Sequence, residues 1–577
     1  CAGCSGLIEE GVLLSGNTFG ADFYTDGKME APMLPEQHAL FKCPHCQSLD
    51  SLMFIGSRAA TVASVAIDEV FGSILNNDPK LLAFTDSVQD ASHRAGFFSA
   101  RTYNFSYRTA LQHIIDDAGP GGLPIEHVGE SLVKFWSEEK PGRPGSFKEV
   151  MATLIPPDLR EYGAYLSFRD NHSQHIPSSI LQKQFIERLN WQATSEFSLM
   201  QTHGRTMEVH ASGCLGWDQE VVLNTLSNLR SRLPSISPAL EIIKDEAFLL
   251  WIFGILHRSR ERGALYHPFL DSYAIKNYWG KVPFKEVISG RETFPPKGRY
   301  RPRLLATTRD KYHDHILSPF VIGSQPPWHV VWIRRVLNDA PFDDNTLLDL
   351  INGLLLSGTE AGLFKCLHKD GEKAYYALNS GAAILYPEGV KLVCNTSGHA
   401  LFRPEWESKI WIDGASLEYR DDRGRYKQGV LNERERYYQD RYRKGALRRV
   451  FAHEHTGLLT TEEREALEMS FSVGGHADDP NVLTATSTLE MGIDIGDLST
   501  TMLCSIPPSI ASYLQRIGRA GRSTGTALVL AVINQRPHDL FFYARPDELL
   551  RGDIEPPGCW LDASAVLVRQ YLAFCLD

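Results

Sequence analysis

Hydrophobic positions change their period several times along the chain, and the changes mark out its elements. Residues 58–78 (RAATVASVAIDEVFGSILNND) are apolar at helical spacing, and the run Lys80–Asp86 (KLLAFTD) breaks directly into a helical pattern at Ser87. A strand that feeds straight into a helix is how a parallel sheet begins, and Phe84 and Thr85 then fall at the strand's C-terminal end, where such sheets place their sites. From 105 to 285 the pattern is mostly helical, with breaks at Gly119–Gly122, at Pro141–Gly145 and near Pro234. The longest apolar run, Ala247–Leu256, is about half of what a membrane span needs, so a buried helix is expected there and no membrane partner.

Further along, Trp328–Asn338 and Asn345–Ser357 read as amphipathic helices, while Leu363–His368 and Lys373–Leu378 flank an Asp370-Gly371 turn of the hairpin type. Two helices followed by a hairpin predict a winged helix; the plainer alternative is an α+β packing module. The sheet pattern resumes near Leu447, with a strand at Arg449–Glu454 and a capping box at Thr460–Glu463 that opens a helix to Phe471. Strands at 481–486 and 500–506, a helix at 509–520 and a strand at Ala527–Ile533 complete it. Strands and helices alternating at this spacing predict an α/β fold with a parallel sheet. Its first strand is cut off from the other four by an insertion of more than 300 residues.

The chemistry is densest in Asn481–Arg522 (NVLTATSTLEMGIDIGDLSTTMLCSIPPSIASYLQRIGRAGR), an apolar strand, a loop with the turn Gly492-Ile493-Asp494, a second strand, and a helix ending in QRIGRAGR. Arg519 and Arg522 lie three apart, on one helical face. At the other end, Cys1-Ala-Gly-Cys4 and Cys43-Pro-His-Cys46 form two C-x-x-C pairs, the spacing of a tetrahedral zinc site. Four thiolates leave no open position, so the zinc is expected to be structural. Cys394 and His399 supply too few ligands for a second site. Asp68-Glu69 lacks the preceding apolar strand of an acidic metal pair, and no G-x-x-x-x-G-K-[ST] phosphate loop occurs in the 577 residues.

Composition is that of an ordinary globular protein, 43% apolar and 22% charged, and the net charge of -11 excludes a chain that coats nucleic acid through bulk positive charge. A narrow basic channel is still allowed, since phosphate contacts are local. Three basic or aromatic runs qualify: His257–Arg262, Lys297–Arg303, and Glu418–Arg449 with its Arg, Lys and Tyr residues. The first two read as readily as a solvated face or linker, and the third almost as readily as an intrahelical charge lattice. Ten cysteines, six of them scattered, fit a reducing cytoplasm better than a disulfide framework. The chain opens on a cysteine and stops in an apolar helical pattern, so an internal piece of a larger protein is expected.

The pieces FTDSVQDASHRAGFF, EHTGLLTTEEREALE, ATSTLEMGIDIGDL and YLQRIGRAGR, with RPHDLFFYARPDELLRGDIEPP beyond them, together resemble the C-terminal part of large bacterial superfamily 2 DEAD/DEAH-box helicases. The similarity is to the MrfA-like, Lhr-related group, which includes phage-defence helicases such as the Druantia helicase DruE. It implies the second of two RecA-like lobes, with ATP and Mg2+ held in a cleft against a first lobe that would carry the phosphate loop. On that resemblance Arg519 and Arg522 reach the terminal phosphate and Gln515 orders their face. Gly492 and Asp494 meet the ribose or the arginines, and Phe84, Thr85, Gly457, Thr486 and Ser487 hold the backbone of DNA.

The implied activity is ATP-dependent 3′ to 5′ DNA helicase or translocase, in repair or anti-phage defence with partner proteins of those pathways. The alternatives are an RNA helicase or a non-catalytic zinc and winged-helix scaffold. The expected layout is a four-cysteine Zn2+ module at 1–56, lobe residues 57–104, a helical insertion at 105–303 and a winged-helix-like module at 304–400. A basic connector at 401–446, the rest of the lobe at 447–546 and a helical extension at 547–577 follow. This fragment alone is expected to be inactive.

Overall fold

The structure is a computed structural model. Apart from a few short gaps, it describes residues 59–271, 302–308, 317–320, 327–337, 342–489, 498–551 and 563–576, together with four two-residue strands between Leu14 and Met29. The chain divides into two compact units: Ser57–Phe71, Asn76–Arg101 and Val450–Asp577 make one, while Thr102–Arg449 with Gly72–Leu75 and Cys1–Gly56 make the other.

The first of these is the expected parallel sheet. Its five strands lie in the order Ala452–His455, Val482–Ala485, Leu81–Phe84, Thr500–Leu503, Leu528–Ala531, and every pair is parallel. The strand that precedes the insertion is therefore the central one. Register aligns Phe84 with Ala485 on one side and Leu503 on the other, so the strands end level. Alternation splits the side chains between two faces. Leu81, Ala83, Val482 and Met502 pack with Ala63, Ile67 and Phe71 of the helix Ala59–Gly72 and with Ala95 and Phe98 of Val88–Ala118. Leu82, Phe84, Leu483, Ala485 and Leu503 pack on the other side with Phe471 of Thr461–Val473 and Tyr513 of Ile510–Ile517. Helices on both faces bury the three inner strands completely, while the edge strands Ala452–His455 and Leu528–Ala531 stay partly exposed.

The capping box is formed: Thr460 Oγ1 accepts from the Glu463 N–H at 3.2 Å, and the Glu463 carboxylate accepts from the Thr460 N–H at 3.0 Å. At the far end of that helix Lys80 Nζ donates to the Ser472 carbonyl at 2.8 Å, a cation where the last carbonyls are exposed.

The second unit is mostly helical around one continuous core that runs from Tyr103 to Tyr426. Asp245–Glu261 is the expected buried helix, with Phe248 to Leu256 enclosed on every side. It meets Trp328–Val336 at close range: a Cβ on Gly254 would stand 2.1 Å from the Trp332 indole, whose Nε1–H donates to the Trp251 carbonyl at 3.0 Å. Pro234 does not break its helix. Gln219–Ile236 continues through it, because in the last turn a missing N–H costs at most one bond. The strand Cys214–Trp217, in a stretch read as helical, pairs with Ala383–Tyr386.

Asp344–Ala361 packs beside Gln219–Ile236 and is followed by the hairpin Phe364–Asp370 and Lys373–Leu378, turned at Gly371 with φ of +57°. The hairpin belongs to a four-stranded sheet that continues through Leu304–Ala306 to Leu317–Pro319. Among the described residues no helix is long and apolar enough to cross a membrane.

Candidate nucleotide and nucleic-acid site

The level ends of the parallel strands bring separated segments to one edge of the sheet. Phe84 and Thr85 end the central strand, Thr456 and Gly457 follow Ala452–His455, and Thr486 and Ser487 follow Val482–Ala485. Their exposure differs. Thr85 is buried, its N–H donating to the Ala485 carbonyl at 2.8 Å and its hydroxyl to the Ser87 carbonyl at 3.2 Å. Phe84 lies beneath the surface and Thr486 is 8% exposed, whereas Ser487 and Gly457 are open to solvent. Nothing stands within 4 Å of where a Cβ on Gly457 would be, so a backbone could approach it closely.

Behind this edge His455 is fully buried between two elements. Its Nε2 is 2.7 Å from Glu468 Oε1 and its Nδ1 is 3.2 Å from Thr488 Oγ1, while the Thr488 hydroxyl donates to the His455 carbonyl at 3.2 Å. The turn that carries Thr486 and Ser487 is thereby tied to the helix Thr461–Val473.

The helix Ile510–Ile517 starts at Ser509, whose hydroxyl accepts from the Ser512 N–H at 3.2 Å. It ends at Gly518, short of the expected 520, so Arg519 and Arg522 lie in the turn beyond it and not on one helical face; there Ala520 lies beside Leu498 and the Gly521 N–H donates to the Leu498 carbonyl at 2.7 Å. Gly521 has φ of +74°, and a Cβ there would fall 2.8 Å from the Thr526 carbonyl oxygen, so only glycine fits this turn without a shift. Gln515 is exposed on the helix.

Arg519 is buried and Arg522 is exposed, with Nε of Arg522 donating to the Gly518 carbonyl at 2.9 Å. Burial lowers the pKa of the Arg519 guanidinium, and the positive charge of Arg522 lowers it further. Two cations that disfavour each other form a place where an anion is welcome, and in that respect the pair suits a nucleotide's terminal phosphate.

Comparison with known proteins bears on the same segment. Residues 433–524 match the family described as helicase conserved C-terminal domain. The Druantia protein DruE of Escherichia coli (strain UMEA 4076-1) is 30% identical over 135 residues, and the Lhr helicase/probable uracil glycosylase of Mycolicibacterium smegmatis is 38% identical over 107 residues. The chain carries a superfamily 2 helicase C-terminal region, similar in sequence to those of the DruE and Lhr helicases. These alignments take in 22% and 18% of the chain and 7% of each relative's length. The DUF1998 helicase MrfA bound to DNA and AMPPNP is 24% identical, over 24% of this chain and 18% of that one, with a TM-score of 0.19, too low to bear on the fold.

Asp86, one residue beyond Thr85 in the helicase lobe, drew no attention as sequence, yet it gathers three side chains. Ser505 Oγ donates to its Oδ2 at 2.5 Å, Arg536 Nη1 lies 3.3 Å from the same oxygen, and Arg516 Nη1 lies 3.7 Å from Oδ1. Only the position of a short acid directly after a strand end could have drawn attention to it. Gly492 and Asp494, and the zinc candidates Cys1, Cys4, Cys43 and Cys46, lie outside the described residues, as does most of Lys297–Arg303. Among the described residues no group of three or more His, Cys, Asp or Glu could hold a metal.

In the described parts of the second unit, His257–Arg262 resolves mainly into packing, while Glu433–Lys444 divides between packing and an exposed face that holds Arg434, Arg436 and Tyr437. Arg260 is buried and donates through both terminal nitrogens to Glu208, at 2.8 and 2.9 Å, and Arg403 donates to the same carboxylate. His257 lies against both guanidiniums, and burial takes its ring down to about 4. Burial alone would raise the Glu208 carboxyl, but Arg260 and Arg403 outweigh it and hold it below the usual range. Nearby, Glu407 accepts from the Trp217 N–H at 2.6 Å, and burial pushes its carboxyl up to about 7.

In Glu433–Lys444 the rings of Tyr438 and Tyr442 are buried, Lys391 pairs with Glu435 at 2.7 Å, and Arg443 donates to the Pro387 carbonyl at 2.7 Å. The intrahelical charge lattice is present too, in Lys444 with Asp440 at 2.8 Å.

Proposed function

We propose that the chain is the second RecA-like lobe and the accessory modules of an ATP-dependent DNA helicase or translocase moving 3′ to 5′, in DNA repair or anti-phage defence. The observation that carries this reading is the pair Arg519 and Arg522, one buried and one exposed, on a glycine-fixed turn at the end of QRIGRAGR in a parallel-sheet lobe. An arginine held against a transferring phosphoryl group offsets its charge and is worth orders of magnitude in rate. Arg519 and Arg522 would hold the terminal phosphate of ATP, Gln515 would order their face, and Gly492 and Asp494 would meet the ribose. ATP with Mg2+ supplies the phosphoryl group when bound, and the phosphate loop and the acidic Mg2+ ligands would come from a first lobe.

Ser487 and Gly457 are the open positions at the strand edge and would touch DNA phosphates with Thr486, above Phe84 and Thr85. Such contacts grip without reading sequence. The hairpin Phe364–Leu378 with the helices Trp328–Val336 and Asp344–Ala361 would serve as a winged helix against the duplex, and the four cysteines would hold one structural Zn2+. Strand displacement by the full-length protein tests the reading. Unwinding of a 3′-tailed DNA duplex that needs ATP is expected, and failure on every tailed DNA or RNA duplex would contradict it.

A further inference from the structure

The contacts of Asp86 join the two halves of the proposed site. Asp86 follows Thr85 at the end of the central strand, and Ser87 beyond it takes the Thr85 hydroxyl on its carbonyl and accepts the Asp90 N–H at 3.1 Å to start the helix Val88–Ala118. From this point the carboxylate meets Ser505, just past the strand Thr500–Leu503, and Arg536, which begins the helix Pro537–Ala544. It also meets Arg516, which is 4% exposed and lies over the Phe84 ring. Arg516 is the residue after Gln515, and its carbonyl accepts from the Arg519 N–H at 3.3 Å. At 3.7 Å the contact with Arg516 is an ion pair rather than a hydrogen bond, with the arginine buried and the carboxylate 36% exposed.

We propose that Asp86 is a positioning residue: through Arg516 it sets the helix that presents Arg519 and Arg522, and so couples the strand edge proposed to hold DNA to the arginines proposed to meet ATP. This rests on the helicase reading above. The carboxylate joins the central strand end, Arg516 and Arg536, and none of these contacts requires a ligand. A change in how the strand edge is loaded has a short route to the arginine turn through this side chain.

The test uses the full-length protein with Asp86→Asn, Asp86→Glu and Arg522→Ala. Asn keeps an oxygen for Ser505 and removes the charge that faces Arg516 and Arg536. Asp86→Asn is expected to lower the maximal DNA-stimulated rate of ATP hydrolysis about tenfold, or ~1.4 kcal/mol. Affinity for a fluorescent single strand and the thermal midpoint should stay close to the parent's, and Asp86→Glu should recover part of the rate. A parent-like rate in Asp86→Asn overturns the inference, and so does loss of DNA affinity or of the thermal midpoint in step with the rate. If Arg522→Ala also hydrolyses like the parent, the helicase reading has failed; if Arg522→Ala is inactive while Asp86→Asn is normal, only the coupling has.

Discussion

The guanidinium of Arg516 lies over the ring of Phe84, 5.3 Å from its centre. A cation on a buried aromatic face is worth about 1 kcal/mol or more beyond the area it covers. Phe84→Leu and Arg516→Met should therefore each destabilise the lobe. The double variant should lose less than the sum, by about 1 kcal/mol in a denaturant double-mutant cycle. Strict additivity would mean that the two side chains pack independently.

Glu407 predicts a pH dependence for the accessory unit. Its carboxyl rises from the ordinary 4.5 to about 7 in the fold, chiefly through burial. The folded state then holds the proton more tightly than the unfolded chain does. The associated stability is fully present below pH 4.5 and is lost as pH rises through about 7. The full difference is on the order of 3 kcal/mol. Glu407→Gln keeps an oxygen for the Trp217 N–H and has no proton to lose. Its stability from urea titrations should be flatter than the parent's between pH 5 and 7 and higher than the parent's at pH 8. An unchanged pH profile would contradict the buried-carboxyl account.

The four cysteines predict one zinc per chain by elemental analysis, bound by Cys1, Cys4, Cys43 and Cys46 as thiolates. Cys43→Ser should lower that stoichiometry, and a chelator should destabilise the N-terminal module without touching the parallel-sheet lobe. Metal-free protein of unchanged thermal stability would remove the zinc from the account.

The helicase lobe was readable because its information is local. Leu81–Phe84 and Val482–Ala485 are short, mostly apolar runs, and Thr460 with Glu463 announces a helix start within four positions. The basic run His257–Arg262 was not readable in the same way. Whether Arg260 is solvated or buried depends on Glu208 and Arg403, which are remote in sequence and meet it only in the fold. Asp86 is a similar case, since its partners Ser505, Arg516 and Arg536 all come from beyond the insertion. Cys214–Trp217 escaped notice because four residues that include Gly216 carry no period, and only pairing with Ala383–Tyr386 makes them a strand.

The central claim is that the arginine turn serves ATP hydrolysis, and Arg522→Ala in the full-length protein tests it most directly. The side chain is exposed and its Nε bond to the Gly518 carbonyl is local, so the fold should survive the change. DNA-stimulated ATP hydrolysis is expected to fall by about 10³-fold or more, the scale of a lost arginine at a transferring phosphate, with DNA affinity largely kept. Hydrolysis at the parent rate would contradict the account.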